Sequence, residues 1–446
     1  MIILSQLKHE VSSTIKLALP IITGQVGIML MGFTDTLQVG QMKVGGVEAL
    51  AASADANGIY INIAIIGYIC LQIVSPMVAK TFSNNNTEER SQLLLASCLV
   101  ATVLSLLCGL IIWLVGQHLE LLDQPAEIRG ITQSFLAYIT ISIFPSFLFS
   151  AFKGVTDGLS RTKIGMNITI LALILNVVLN HLLINGIWIF PEMGLNGSGL
   201  STLISRIFMA ICIIIYTFST TGIKVANPFT KQIVTKALTI LRIGIPSGFQ
   251  GFFEIAAFYG AVVMMGWISI QHKAAHQVAI NLVALTYMAS TGIAAAGGIK
   301  VGMALGDNSK IGIQRAGLAA LLVVSAFMSI CAVLFISFND WLASYVNDPA
   351  VVTLAAELII WGGIFQLFDG VQAVSLGILR GIADVNIPTG ITIIAYWVVG
   401  LPVSYILAFS FNLQHIGIWI GLTAGLLVSA GLLSWRFFSK VKKMSL

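Results

Sequence analysis

KLALPIITGQVGIMLMGFTDTLQVG, residues 16–40, is an apolar run long enough to cross a bilayer, and after Lys16 its one charged residue is Asp35. A bare carboxylate at the centre of a membrane helix costs about 2.5–3.5 kcal/mol on insertion scales. An acid kept at that cost points to a function that needs it. The rest of the chain repeats the character of this run. Its 446 residues are 57% hydrophobic and 9% charged, with a mean hydropathy of +0.95, whereas soluble domains carry about 25% charged residues. The composition specifies a polytopic membrane protein. The apolar runs, each about 20–30 residues, suit helices, since the strands of an outer-membrane barrel would be shorter and strictly alternating.

Twelve such runs predict an all-α protein of twelve transmembrane helices, near 12–38, 49–80, 92–117, 130–153, 164–186, 194–218, 237–268, 276–304, 313–337, 352–380, 386–411 and 415–439. Lys and Arg collect on the cytoplasmic side of membrane proteins. With the N-terminus inside, the even-numbered connections carry Lys80, Arg90, Lys153, Arg161, Lys163, Lys224, Lys231, Lys236, Arg242, Lys300, Lys310, Arg315 and Arg380, and the tail adds Arg436, Lys440, Lys442 and Lys443. The odd-numbered connections hold only Lys43, Arg129 and Lys273 among bases, with acids such as Glu48, Glu120, Asp123 and Glu192. Both termini are therefore expected in the cytoplasm. The net charge of +5 reads as orientation, not as nucleic-acid binding. The five cysteines all fall in apolar runs and read as small core residues, not a disulfide framework. No small-residue cleavage site follows the first run, so the first helix is expected to act as its own insertion signal.

The linker STTGIKVANPFTKQIVTK, residues 219–236, divides the chain into two sets of six helices, 1–222 and 223–446. The halves look like repeats. GVTDGLSRTKIGMNITI and GILRGIADVNIPTGITI match at a constant offset of 223, pairing Gly154, Gly158, Ile164, Ile168, Thr169 and Ile170 with Gly377, Gly381, Ile387, Ile391, Thr392 and Ile393. KLALPIITG and RIGIPSGFQ each place a base four residues before a proline, Lys16 before Pro20 and Arg242 before Pro246. Six helices per half give both halves one orientation, so the expected symmetry is a pseudo-two-fold axis along the membrane normal. Two lobes of that kind suit a transporter.

Three carboxylates stand inside apolar helices: Asp35, Glu254 and Asp369. No Lys or Arg lies within a helical turn of any of them along its own helix. Such a group avoids an uncompensated charge by taking a proton or binding a cation, and either makes it a coupling site. Asn176 and Asn180 share a helix face, and with Thr202 they would give Asp35 an oxygen-rich setting for a proton network or a sodium ion. The same residues are also what helix packing uses, and spacing does not separate the two readings. Pro20 is a candidate hinge, because proline removes a backbone donor and crowds the preceding turn. HKAAH places His272 and His276 four apart, but it lacks the glutamate of a zinc protease motif. No phosphate loop, nucleophile elbow or structural metal motif is present, so the chain reads as no enzyme with no cofactor. NNT at Asn85 fits a glycosylation pattern in a loop expected to face the cytoplasm.

LALPIITGQVGIMLMGFTDTLQVG resembles the first helix of the multidrug and toxic compound extrusion (MATE) family, and GFFEIAAFYGAVVMMGW, AAHQVAINL and AYWVVGLPVSYIL are similar to its second-half motifs. Glu254 and Asp369 together resemble the NorM-type branch. The resemblance runs along essentially the whole chain. It implies two six-helix lobes around a cavity in a bacterial inner membrane, in a monomer that exports small organic, often cationic, drugs in exchange for H+ or Na+. It further implies an N-lobe cation network at Asp35, Asn176, Asn180 and Thr202, with an Asn where the family often has Asp at position 180. Glu254 and Asp369 match its C-lobe cation site. Met29, Met31, Phe33, Tyr138, Phe252 and Phe253 suit a broad apolar cavity, although Met and Phe at such spacing also serve plain packing. The alternatives are a lipid-linked oligosaccharide flippase, for which Arg206 is the base deepest in an apolar run, a membrane enzyme, and a solute symporter.

Overall fold

The computed structural model describes residues 4–42, 45–82, 86–122, 125–223 and 230–445. Lys43, Asp123 and Lys224 of the charge tally, the Asn85 of the glycosylation pattern and the middle of the 219–236 linker lie outside the described residues. The protein is helical, with no β-strand among the described residues. Twelve helices are long and apolar enough to cross a membrane: Ser5–Gly40, Gly46–Lys80, Thr87–Gln117, Ala126–Gly158, Thr162–Asn185, Leu195–Thr220, Lys231–Ile268, Ile270–Gly306, Lys310–Ser337, Pro349–Gly381, Asn386–Ser410 and Gln414–Lys443. They are the twelve that the sequence predicts. Half of them begin or end a turn or more outside the apolar run, because a polar turn still satisfies its backbone by continuing the helix. The five cysteines are free thiols.

Three spans are interrupted, each where proline removes a backbone bond. The second breaks at Ile73, ahead of Pro76, and the fourth at Ser142, ahead of Pro145. The eleventh widens into two π-helical stretches, Ile394–Gly400 and Ile406–Ser410, on either side of Pro402. The first and seventh helices instead continue without interruption past Pro20 and Pro246.

Contacts group the chain into two compact units. One is Thr23–Gly248, with an apolar core that includes Val100, Ile112, Phe147 and Ile213. The other comprises Met1–Ile22 and Phe249–Leu446, with a core around Phe365, Tyr396, Trp419 and Leu426. The changeovers fall inside the first and seventh helices, two residues after Pro20 and Pro246. In the unit holding Met1–Ile22, Lys300 donates to Ser13 at 2.9 Å. In the unit Thr23–Gly248, Lys236 pairs with Glu89 at 3.1 Å. At the chain's end, Lys310 donates to the carbonyls of Lys442 and Met444 at 2.6 and 3.1 Å, closing off the C-terminus of the twelfth helix.

The repeat seen in sequence reappears in backbone detail. The fourth helix ends through Ser160 at φ 61°, and the tenth through Ala383 at φ 57°. Their termini close with Arg161 N donating to Thr156 O at 2.9 Å and Asp384 N donating to Leu379 O at 3.0 Å. Asn86 caps the third helix by accepting from Glu89 N, and Ser309 caps the ninth by accepting from Gly312 N. Every one of these pairs is separated by 223 residues, so the same local solutions are used twice.

Candidate functional site

The buried acids form two separate clusters, one in each unit. In Thr23–Gly248 the centre is Asp35. Asn180 donates from Nδ2 to Asp35 Oδ1 at 2.5 Å, and Thr202 from Oγ1 to Oδ2 at 3.1 Å. Asn176, a turn from Asn180, donates to Ser201 Oγ at 3.1 Å, and Ser201 returns a bond to the Asn176 carbonyl at 3.0 Å. The structure thus brings Asp35, Asn176, Asn180 and Thr202 together from the first, fifth and sixth helices. The Oδ1 atoms of Asn176 and Asn180 are buried and have no hydrogen-bond partner among the described residues. The cluster holds both spare acceptors and a carboxylate, the donor set that a proton or a hard cation needs.

Beside it lies a second set of polar groups that helical spacing along one chain segment does not reveal. Arg206, one turn past Thr202, donates from one nitrogen to Tyr60 OH and to Ser142 Oγ, both at 2.7 Å. Its Cζ lies 4.8 Å from the Tyr60 ring centroid, a cation–π contact. Tyr60 OH is 2.8 Å from Tyr68 OH, which is 2.5 Å from Ser146 Oγ. Ser142 is the residue at which the fourth helix breaks, and the guanidinium bonds its hydroxyl.

In the unit that contains Phe249–Leu446 the centre is Glu254. Gln372 Nε2 donates to Glu254 Oε1 at 3.0 Å, and Tyr396 OH lies 3.3 Å from that oxygen and 3.1 Å from Gln372 Oε1. Asp369, one turn before Gln372, is only 3% exposed and lies close enough to Glu254 for their charges to interact. Arg380 donates to Gln250 at 3.5 Å, one turn below Glu254 on the seventh helix. Sequence reading treats Arg380 as a loop base, but it is the last-turn base of the tenth helix. Tyr396 sits in the π-helical stretch Ile394–Gly400, and such stretches recur at functional sites. Gln372, Tyr396 and Tyr60 are neighbours of these clusters that the sequence does not single out, and Arg206, which it marks only as a base deep in an apolar run, lies beside the Asp35 cluster. Gln372 and Tyr396 reach Glu254 from other helices, Arg206 and Tyr60 pair with each other beside Asp35, and only the proline at 402 hints at the altered winding.

The proposed cavity residues are spread over both units. Met29 and Phe33 share an exposed face of the first helix, whereas Met31 is packed into the core of Thr23–Gly248. Tyr138 lies over Gly199, where an added Cβ would stand 2.9 Å from Tyr138 Cβ. Phe252 and Phe253 meet edge to face at 5.7 Å, and Trp397 donates to the Phe253 carbonyl at 3.1 Å. His272 and His276 turn to different partners. His272 packs on His415 at 4.9 Å, and His276 Nδ1 accepts from Trp419 at 3.1 Å. Among the described residues no group of three or more metal-ligating side chains converges.

The MatE family profile matches residues 20–182 and 246–406. The chain is 29% identical to a probable multidrug resistance protein NorM of Rhizobium meliloti, over 97% of this chain and 94% of that one. It is 32% identical to a protein of the same description from Bacillus cereus, over 99% of this chain and 98% of that one. Among solved structures it superposes on the Vibrio cholerae MATE transporter VcmN in the bent form with a TM-score of 0.85 at 16% identity, covering 98% of each chain. It superposes on the eukaryotic MATE transporter AtDTX14 with the same TM-score, 0.85, again at 16% identity and over 98% of each chain. Those two likenesses are of fold. The profile covers both halves of the chain, including the helices that carry all three buried acids, and the chain belongs to the MatE family of membrane transporters.

Proposed function

We propose that the protein is a secondary active efflux antiporter, which exports small organic, often cationic, compounds in exchange for inward-moving H+ or Na+. The observation that carries this reading is Asp35. It is a carboxylate in a membrane-spanning helix whose two oxygens are met by neutral donors, Asn180 and Thr202, beside two buried amide oxygens that have no partner among the described residues. A site so furnished suits a group that gains and loses a positive charge. In the second unit Glu254, whose Oε1 faces the neutral donors Gln372 and Tyr396, and the buried Asp369 take the corresponding part. The relatives named as multidrug resistance proteins support drugs as the cargo.

In this reading a protonated or cation-bound Asp35 tolerates a dry, collapsed setting, and an ionised one favours water or a cationic substrate. Ion and drug then prefer different conformations, which is what coupling requires. Asn176 and Asn180 supply competing hydrogen bonds, and Pro20 lets the first helix bend. Met29, Phe33, Tyr138, Phe252 and Phe253 are the proposed apolar contacts for the drug. The lobes are proposed as 1–222 and 223–446, related by a two-fold axis along the membrane normal, in a monomer of the bacterial inner membrane with both termini cytoplasmic. Arg206 is engaged by Tyr60 and Ser142 instead of standing ready for a pyrophosphate, which disfavours the flippase alternative. The test is efflux from proteoliposomes under separately imposed proton and sodium gradients. Drug efflux driven by one of them is expected, and efflux driven by neither would overturn the reading.

A further inference from the structure

We propose that Arg206 is a positioning residue for the Asp35 site, a fixed internal counter-charge that sets how tightly the carboxylate holds its coupling cation. This rests on the reading of Asp35 as a coupling acid. Thr202 and Arg206 are four apart on the sixth helix, so their side chains leave one face about 5–6 Å apart at Cβ. Thr202 holds Asp35 Oδ2 at 3.1 Å, so Arg206 springs from the helix one turn past the residue that bonds the acid, and the two charges are close enough to interact. The guanidinium does not bond Asp35. Its hydrogen bonds go to Tyr60 and Ser142, and Tyr60 is fixed in turn by Tyr68 and Ser146. The other groups facing Asp35, namely Asn176, Asn180 and Thr202, are neutral, as is Ser201 behind Asn176. Tyr60 and Tyr68, on the other side of the guanidinium, present hydroxyls to it and to each other. Arg206 is thus the cation of this cluster and Asp35 its anion.

The consequence follows from charge. A guanidinium stays protonated in proteins, so Arg206 cannot neutralise itself when Asp35 gains its cation. A proton or a sodium ion each adds one positive charge next to it, and both are opposed alike. Two unit charges a turn apart away from bulk water interact by several times RT. Arg206 therefore weakens the hold on either cation and eases its release. A buried carboxylate without that opposing charge would keep its cation through the cycle. The network through Tyr60 and Ser142 keeps the guanidinium at one distance, so its effect is set and steady.

The test is drug efflux from proteoliposomes, with the half-maximal concentration of the driving cation as the readout. Arg206→Gln is expected to be half-maximal at about tenfold lower cation concentration, with slower turnover at saturation. Arg206→Lys, which keeps the charge, is expected to stay near wild type. An unchanged half-maximal concentration in Arg206→Gln overturns the proposal, and so does an equal shift in both variants, which would mark a packing role. Where Arg206→Gln does not accumulate, Tyr60→Phe serves. It frees the guanidinium to approach Asp35 and is expected to raise the half-maximal concentration about threefold, and no change there overturns the proposal too. Asp35→Asn separates the two levels. If it keeps full coupled efflux, the reading of Asp35 fails. If it stops efflux while Arg206→Gln shifts nothing, only the role of Arg206 fails.

Discussion

Gly292 lies against the backbone of Ile22: a Cβ added to the glycine would stand 3.1 Å from the Ile22 nitrogen and 3.2 Å from its Cα. In the other unit Gly248 lies against Ile66 in the same way, with an added Cβ 2.6 Å from the Ile66 carbonyl oxygen and 3.0 Å from its Cα. Ile22 corresponds to Gly248 and Ile66 to Gly292 at one offset of 226. The repeat therefore preserves a close backbone crossing while moving the glycine from one partner to the other. Each crossing lies just past a helix proline, Pro20 or Pro246, and needs one glycine to let two helices approach. Gly292→Val and Gly248→Val are expected to cost about 1–3 kcal/mol by forcing backbone to move. Gly431→Ala, which meets nothing within 4 Å in the twelfth helix, is expected to gain about 0.5–1 kcal/mol. Thermal unfolding in detergent checks all three. Equal effects from Gly292→Val and Gly431→Ala would deny the crossing its importance.

Glu254→Gln and Asp369→Asn are each expected to abolish or strongly reduce transport while the protein still accumulates in the membrane. Each amide keeps the shape of its acid, and at position 254 it can still bond Gln372 or Tyr396, but neither can cycle a charge. Drug accumulation in cells, with protein level measured alongside, is the readout. Export at the wild-type rate by both variants would remove this pair from coupling.

Asp35→Asn is expected to stop coupled efflux, to remove most of the pH dependence of cationic dye binding, and to cost little stability, since an amide is cheaper to bury than a charge. Dye binding against pH in wild type and variant decides it. The same pH profile in both would make Asp35 a structural acid.

Tyr396→Phe removes a hydroxyl that lies 3.3 Å from Glu254 Oε1 without removing the ring. A hydrogen bond to a charged group is worth about 1.5–3 kcal/mol, and losing this donor disfavours the cation-free carboxylate, so efflux should be half-maximal at a concentration of driving cation lower by about tenfold or more. A variant indistinguishable from wild type would make the π-helical stretch a matter of packing alone.

Topology is checked by cysteine labelling. A thiol introduced at Lys163 or in the tail at Lys443 is expected to react only from the cytoplasmic side. Labelling of the tail from outside would overturn the proposed orientation.

The twelve helices were legible because hydropathy is a property of contiguous sequence. The seventh reads from residue 237 but starts at Lys231, since hydrogen bonding carries a helix through a polar turn that hydropathy does not mark. The Asp35 cluster was legible for a similar reason. Asn176 and Asn180 declare a shared face by their spacing, and Thr202 adds a hydroxyl in the next helix. Arg206 and Arg380 were not legible as neighbours of acids. Along the chain they are far from Asp35 and Glu254, and only packing within each unit brings them near. Tyr396 was hidden by its winding, because a helix that widens at a proline re-aims side chains in a way no periodicity records.

The changeover of units inside the first and seventh helices bears on the order in which the protein is made. The stretch up to Ile22 leaves the ribosome long before Phe249, yet its described residues group with a unit whose remaining members begin at Phe249. The unit Thr23–Gly248 in turn is incomplete until the early part of the seventh helix has been synthesised. Neither half of the chain, cut at the central linker, contains a whole unit. During biogenesis the leading segment must wait, inserted but unpartnered, through most of translation, and the long sequence separation of its contacts makes its docking a late and slow step.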